Sequence, residues 1–246
     1  MSADLKLADA GRRPEPVEEH SSRRAFLRAA GLGGAALAFP ALFTACADGA
    51  TSALAPSAAL DAHGEEHPHG NGTIVLQFNS DIGVLNYAYA LEQLEAAFYT
   101  TLLYHPYNGM THREMRLLQD VRDHEIAHRD FLRAALGDQR IRDLTPNLKQ
   151  IDFTDRYTVL TTARTFEDLG VAAYNGAAKY LDSDVYLTIA GKIVSVEARH
   201  ASAIRDLLQP KTGYFAPKAF DDAFAPDTVI AAASAFIVEK INVVNV

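Results

Sequence analysis

The chain has 246 residues, 48% of them apolar and 22% charged, a balance that supports a buried core and excludes a disordered or low-complexity chain. Its formal charge is −8, so no basic surplus is present to hold a nucleic-acid backbone. A single cysteine, Cys46, rules out an internal disulfide and any multi-thiolate metal site, which leaves carboxylates and imidazoles as the available metal donors.

Residues 1–46 read as an export signal. Ser22-Arg23-Arg24-Ala25-Phe26-Leu27-Arg28 precedes an apolar run from Ala29 to Ala45 that is too short and too rich in small residues for a membrane span. The arginine pair followed by Phe26 and Leu27 resembles a twin-arginine signal, so the expected location is the periplasm or cell envelope. Leu42-Phe43-Thr44-Ala45-Cys46 resembles a bacterial lipobox. Cleavage before Cys46 would leave a lipidated cysteine that anchors the mature chain to a membrane surface. Ordinary cleavage after the small-x-small triplet Ala45-Cys46-Ala47 is the alternative. Residues 47–75 read as a flexible linker rich in Ala, Ser, Pro and Gly. It carries His63, Glu65, Glu66, His67 and His69, a tract that is either a solvated tether or a scavenger of metal ions.

From Asp81 the pattern becomes helical. The spacing predicts helices over 81–104, 111–136, 154–181 and 184–208, with Asp81, Thr111, Thr154 and Ser183 as N-caps and Gly137 ending the second. The first and second are joined by a short turn containing Pro106, Asn108 and Gly109, and the third and fourth by an even shorter one. Each pair is therefore expected to be an antiparallel hairpin. The connection over 137–153, with Pro146, is long. The expected fold is all-α: a four-helix bundle over 76–210 with one long crossover in the middle, the ferritin-like topology. Residues 211–246 form a C-terminal extension, with a short fifth helix expected over 227–239.

The chemistry lies in the stripes that face the core. The first helix shows Leu85, Tyr89, Glu92, Ala96, Tyr99 and Leu103, and the second Leu118, Val121, Glu125, His128, Leu132 and Ala135. The third shows Leu160, Ala163, Glu167, Val171, Tyr174 and Ala178, and the fourth Ile189, Ile193, Glu197, His200, Ile204 and Leu207. Each stripe is apolar except for a glutamate near its middle. Burying an ionised carboxylate costs several kcal/mol unless it is paired or bound to metal. Four facing one another would repel, and no lysine or arginine lies on the stripes to neutralise them. Residues i and i+3 share a helix face, so Glu125 with His128, and Glu197 with His200, can meet one ion each. The halves also repeat: Glu92 is followed by Tyr99 as Glu167 is by Tyr174, each about thirty residues before a Glu-x-x-His.

This set resembles the ferritin-like superfamily, in which one glutamate from each of two helices joins Glu-x-x-His from each of the other two. The segment Leu91-Glu92-Gln93-Leu94-Glu95-Ala96-Ala97-Phe98-Tyr99 resembles exported ferritin-like proteins related to plant desiccation-related proteins. The resemblance implies two metal ions, with Glu92 and Glu167 as terminal ligands and Glu125 and Glu197 bridging. It implies one nitrogen from each of His128 and His200, and Tyr99 and Tyr174 just outside the ligands as hydrogen-bond donors or oxidisable phenols. Glu95 also has apolar neighbours on its face and could replace or join Glu92. The repeat favours Glu92, because Gly170 is the counterpart of Glu95.

His124 points off the face of Glu125, where a surface role or a contact to a ligand are both open. Asp123 and Asp168 are expected to be solvated, or else to hold the second nitrogen of a ligand histidine. A mixed oxygen and nitrogen donor set without thiolate suits iron or manganese. The functional expectation is a redox protein acting on O₂ or peroxide, as an oxidoreductase or as a protective protein in oxidative stress. The alternative is a structural, desiccation-protective bundle. Homo-oligomers are compatible with either, and an anchored chain fits a storage shell poorly.

Overall fold

A computed structural model of the protein describes residues 72–246. The signal-like segment, Cys46 and the tract from His63 to His69 lie outside the described residues. No helix among the described residues is long and apolar enough to cross a membrane.

In chain order the elements are β1 (Ile74–Gln77), α1 (Asp81–Tyr104), α2 (His112–Leu136), α3 (Arg156–Ala177), α4 (Asp184–Leu208), α5 (Pro226–Ala233) and β2 (Ile241–Val244). Among the described residues the fold is all-α apart from one two-stranded ladder and an isolated antiparallel bridge between Pro146 and Ile237. α1 packs along α2 and α3 along α4, and the crossover from Gly137 to Asp155 links the two hairpins. Thr111 closes a reciprocal capping box with Glu114, Ser183 caps α4, and Gly137 at φ 52° ends α2.

Two expected caps are displaced by one residue, each for a visible reason. Ser80 rather than Asp81 caps α1, accepting the Gly83 amide at 3.3 Å. The Asp81 carboxylate is taken by the turn between α3 and α4, where it accepts the amides of Asp182 at 2.7 Å and Ser183 at 3.1 Å. Asp155 rather than Thr154 caps α3, accepting the Thr158 amide at 2.7 Å. The Thr154 hydroxyl instead donates to Asp152 at 2.6 Å. α3 ends at Ala177, earlier than the expected 181, and passes into a 3₁₀ turn over Ala178–Tyr180.

α1 is the central helix: every residue from Gly83 to Ala96 is buried. A helix buried all round needs partners for its polar side chains. The crossover provides them. Asn86 accepts the Ile141 amide at 2.6 Å and donates to the Gln139 carbonyl at 2.9 Å. Gln93 accepts the Leu144 amide at 2.7 Å. The Tyr89 hydroxyl donates to Asp143 at 3.0 Å and accepts from Arg133 at 3.1 Å. The crossover is thus bolted to α1 through Asn86, Tyr89 and Gln93.

The C-terminal extension wraps back to the start of the bundle. β1 and β2 pair in parallel, with Ile74 opposite Ile241 and Gln77 opposite Val244. Ile74 and Leu76 point inward and Val75 and Gln77 outward. β1 begins at Ile74 and so takes up the last two residues of the stretch expected as linker. The expected fifth helix is shorter than 227–239: α5 covers Pro226–Ala233, and a 3₁₀ turn follows over Ser234–Phe236. Two glycines mark the closest seams. A Cβ on Gly83 would lie 1.6 Å from the Gln77 carbonyl oxygen, and one on Gly176 would lie 1.8 Å from that of Phe224. α1 therefore sits directly on the backbone at the end of β1, and α3 on the backbone of the extension.

Candidate metal centre

The four helices bring the six side chains of the repeated pattern to one place in the core. Glu92 comes from α1, Glu125 and His128 from α2, Glu167 from α3, and Glu197 and His200 from α4. All four carboxylates are fully buried. They form two overlapping groups, within each of which the donor atoms lie within 4.8 Å of one another.

In the first group His128 Nδ1 lies 2.9 Å from Glu197 Oε1, 3.5 Å from Glu92 Oε2 and 3.6 Å from Glu125 Oε2. In the second, His200 Nδ1 lies 2.8 Å from Glu125 Oε1, 3.3 Å from Glu167 Oε2 and 3.5 Å from Glu197 Oε2. Glu125 and Glu197 therefore belong to both groups, each offering one oxygen to one side and one to the other. Glu92 belongs only to the first and Glu167 only to the second.

The two tyrosines cross between the hairpins. The Tyr174 hydroxyl of α3 donates to Glu92 Oε1 of α1 at 2.6 Å. The Tyr99 hydroxyl of α1 donates to Glu167 Oε1 of α3. Each outer glutamate thus has one oxygen occupied and turns the other inward. The inward atoms have no hydrogen-bond partner: Glu92 Oε2, Glu167 Oε2, both oxygens of Glu125 and of Glu197, and Nδ1 of His128 and of His200. Several kcal/mol of desolvation are left uncompensated by such atoms. They divide into one nitrogen and three oxygens for each group, a donor set that fits a hard or borderline divalent cation.

Without a cation the cluster balances its charge in another way. Burial works against the imidazolium forms, yet the surrounding carboxylates hold the His128 and His200 pKa values up to about 12. Imperfectly aligned N–H···O interaction and charge act together in these short contacts. Burial opposes ionisation of Glu125 as well, and the two imidazoles outweigh it and hold its pKa down to about 2. Glu92 and Glu167 go the other way. Burial, together with repulsion from Glu197 for Glu92 and from Glu125 for Glu167, pushes both well above the usual carboxylate range. Burial and the neighbouring Glu167 and Glu92 raise the phenols of Tyr99 and Tyr174 well above theirs, so both remain donors.

Glu95 is buried but lies outside both groups. It faces α3 at Gly170, where that helix has no side chain: a Cβ there would lie 3.1 Å from Glu95 Oε1. Burial, then repulsion from Glu125, Glu197, Glu167 and Glu92, raises its pKa well above the usual range. Of the two possible ligands on α1, Glu92 is the one that the structure places among the donors. Asp123 and Asp168 contact arginines rather than imidazoles, Asp123 with Arg122 at 2.7 Å and Asp168 with Arg205. The ring behind a cluster histidine is instead His124, whose Nδ1 lies 2.9 Å from His200 Nε2. Its position next to Glu125 was the available sequence signal. His105 and His112 are exposed.

A four-helix bundle with a mid-chain crossover and a glutamate–histidine cluster at its centre defines the ferritin-like class. The family model described as a ferritin-like domain matches residues 80–210, more than half of the chain, and the chain belongs to that family. None of the curated proteins matches it.

Proposed function

We propose that this is a dinuclear iron or manganese protein of the cell envelope that reacts with O₂ or peroxide. The observation that carries the reading is the division of eight unpartnered buried donor atoms into two sets of four, with Glu125 and Glu197 giving one oxygen to each. Glu92, Glu125, Glu197 and His128 would hold one ion, and Glu167, Glu125, Glu197 and His200 the other. When bound, such a pair supplies two-electron exchange with a small oxidant. Tyr99 and Tyr174 keep the outer glutamates turned inward through one oxygen each. The apolar residues of the four stripes exclude bulk water from the cluster. Location in the envelope rests on the Arg23-Arg24 signal, and anchoring on a lipidated Cys46.

The test is metal content of the mature chain from Asp48, measured by plasma mass spectrometry beside a Glu125→Ala/Glu197→Ala double variant. About two iron or manganese ions per chain, lost in a variant that stays helical, support the reading. Peroxide- or O₂-linked turnover that depends on the same residues supports the redox role. A helical wild type that takes up neither metal on reconstitution overturns it in favour of a structural bundle.

A further inference from the structure

We infer that His124 is a positioning residue for His200, and that it makes the two cation positions unequal. The inference rests on the dinuclear reading above. The two positions match in their carboxylates and tyrosines but differ in what stands behind the imidazole. His200 turns Nδ1 to the carboxylates and Nε2 to His124 Nδ1, 2.9 Å away. The two rings are nearly parallel, 12° apart with centroids separated by 5.2 Å.

The hydrogen-bond pattern fixes a tautomer. An Nδ1 that offers its lone pair to a cation leaves the ring proton on Nε2, and that proton has an acceptor in His124 Nδ1. The orientation of His200 is therefore set before a cation arrives, and when Nδ1 gives up its proton to bind, the proton that stays on Nε2 already has its acceptor. His128 has no such support. The residue that corresponds to His124 in the second half, one position before Glu197, is Val196, which cannot accept a hydrogen bond. Among the described residues, no hydrogen bond is made to His128 Nε2. The His128 side chain is also the more open of the two, 13% exposed against 6% for His200. The His200 position is thus the preorganised one and fills first. The His128 position must order its own ligand and fills second.

Groups that orient a ligand histidine typically affect metal affinity by about 10- to 100-fold. The experiment is a cobalt(II) titration of the metal-free protein, followed by calorimetry and by visible absorption of the bound ion. His124→Phe keeps a flat ring and removes the acceptor. His124→Asn places an amide oxygen near the lost Nδ1 and serves as the rescue. Glu92→Gln and Glu167→Gln isolate the His200 and His128 positions respectively.

In the wild type, two steps of unequal affinity are expected. His124→Phe should weaken the tighter step by about 10- to 100-fold, leave the other within about 2-fold, and be rescued by His124→Asn. The loss should persist in the Glu92→Gln background and vanish in the Glu167→Gln background. Equal weakening of both steps, or no change in either, overturns the inference while the dinuclear reading stands. A wild type that binds fewer than two cobalt ions overturns that reading, and this inference with it.

Discussion

The α1–α2 and α3–α4 hairpins carry one ligand pattern on two different backgrounds. Each contributes an outer glutamate, a Glu-x-x-His and a tyrosine that reaches across to the other hairpin's outer glutamate. Around that shared core they diverge. α1 is wrapped by the crossover and carries Glu95 where α3 has Gly170. α2 carries His124 where α4 has Val196. The pattern that sets charge and donor count is repeated, whereas the pattern that sets access and ligand orientation is not. Two hairpins that repeat one set of carboxylates and imidazoles therefore surround the two groups differently.

Removing one outer glutamate tests the symmetry most sharply. Glu92→Gln and Glu167→Gln should each lose one of two cations, with an affinity drop at that position on the order of 1,000-fold, about 4 kcal/mol, the scale of breaking a buried ion pair. Metal content near one per chain in both variants is the expected result. Loss of both ions in either variant would show that the positions do not fill independently.

The seams come next. Gly176→Ala would drive a methyl group into the Phe224 carbonyl, and Gly83→Ala into that of Gln77. Each should destabilise the fold by about 3 kcal/mol, a fall in Tm of roughly 6–12 °C. Unchanged melting would mean that the extension is not seated on the bundle as described.

Smaller, and specific to the crossing of the tyrosines, is the effect of Tyr99→Phe. It should weaken the cation on the His200 side by about 10-fold, because Tyr99 holds Glu167. Tyr174→Phe should do the same on the His128 side. An effect on the same-hairpin position instead would refute the crossed arrangement.

The last effect concerns Glu95 and depends on pH. Burial raises its pKa, so in the metal-free protein the folded state holds a proton that the unfolded chain releases above the ordinary value of 4.5. Folded stability therefore falls as pH rises above that value, by up to about 1.4 kcal/mol per unit from this group. Glu95→Gln should stabilise the metal-free protein, little at pH 5 and more at pH 8, read from urea midpoints. A gain of the same size at both would exclude ionisation as the cause.

Most of the bundle was legible because it is written in local patterns: apolar steps of three and four, capping residues, and connections of unequal length. The glutamates stood out for the same reason, as polar interruptions of apolar stripes. Apart from the Thr154 cap, lost to its near neighbours Asp152 and Asp155, the misses were contacts between segments distant in sequence. Asp81 has the character of a cap, and only the folded chain shows that the turn before α4 claims it. Four-residue strands carry too little period to be told from loop, and the partner of β1 lies beyond the bundle. The repeated Glu–Tyr spacing was visible, but which glutamate each hydroxyl reaches depends on how α1 and α3 cross. For His124, sequence gave its neighbour Glu125 and not the ring of α4 that it meets.

The parallel ladder also bears on the order of folding. It joins Ile74 to Ile241, 167 positions apart. Closing a flexible loop of that length before anything else had formed would cost about 4–5 kcal/mol of chain entropy, far more than a four-residue ladder returns. Once the four helices have packed, the start of α1 lies beside the start of α4 and Leu208 lies at the far end of the bundle, so only the extension after Leu208 has still to run back, and the loop to be closed is far shorter. The ladder is therefore expected to close late, as a clasp on a bundle already packed. Weakening it, by Ile241→Ala for example, should speed unfolding and leave the refolding rate nearly unchanged in a stopped-flow chevron.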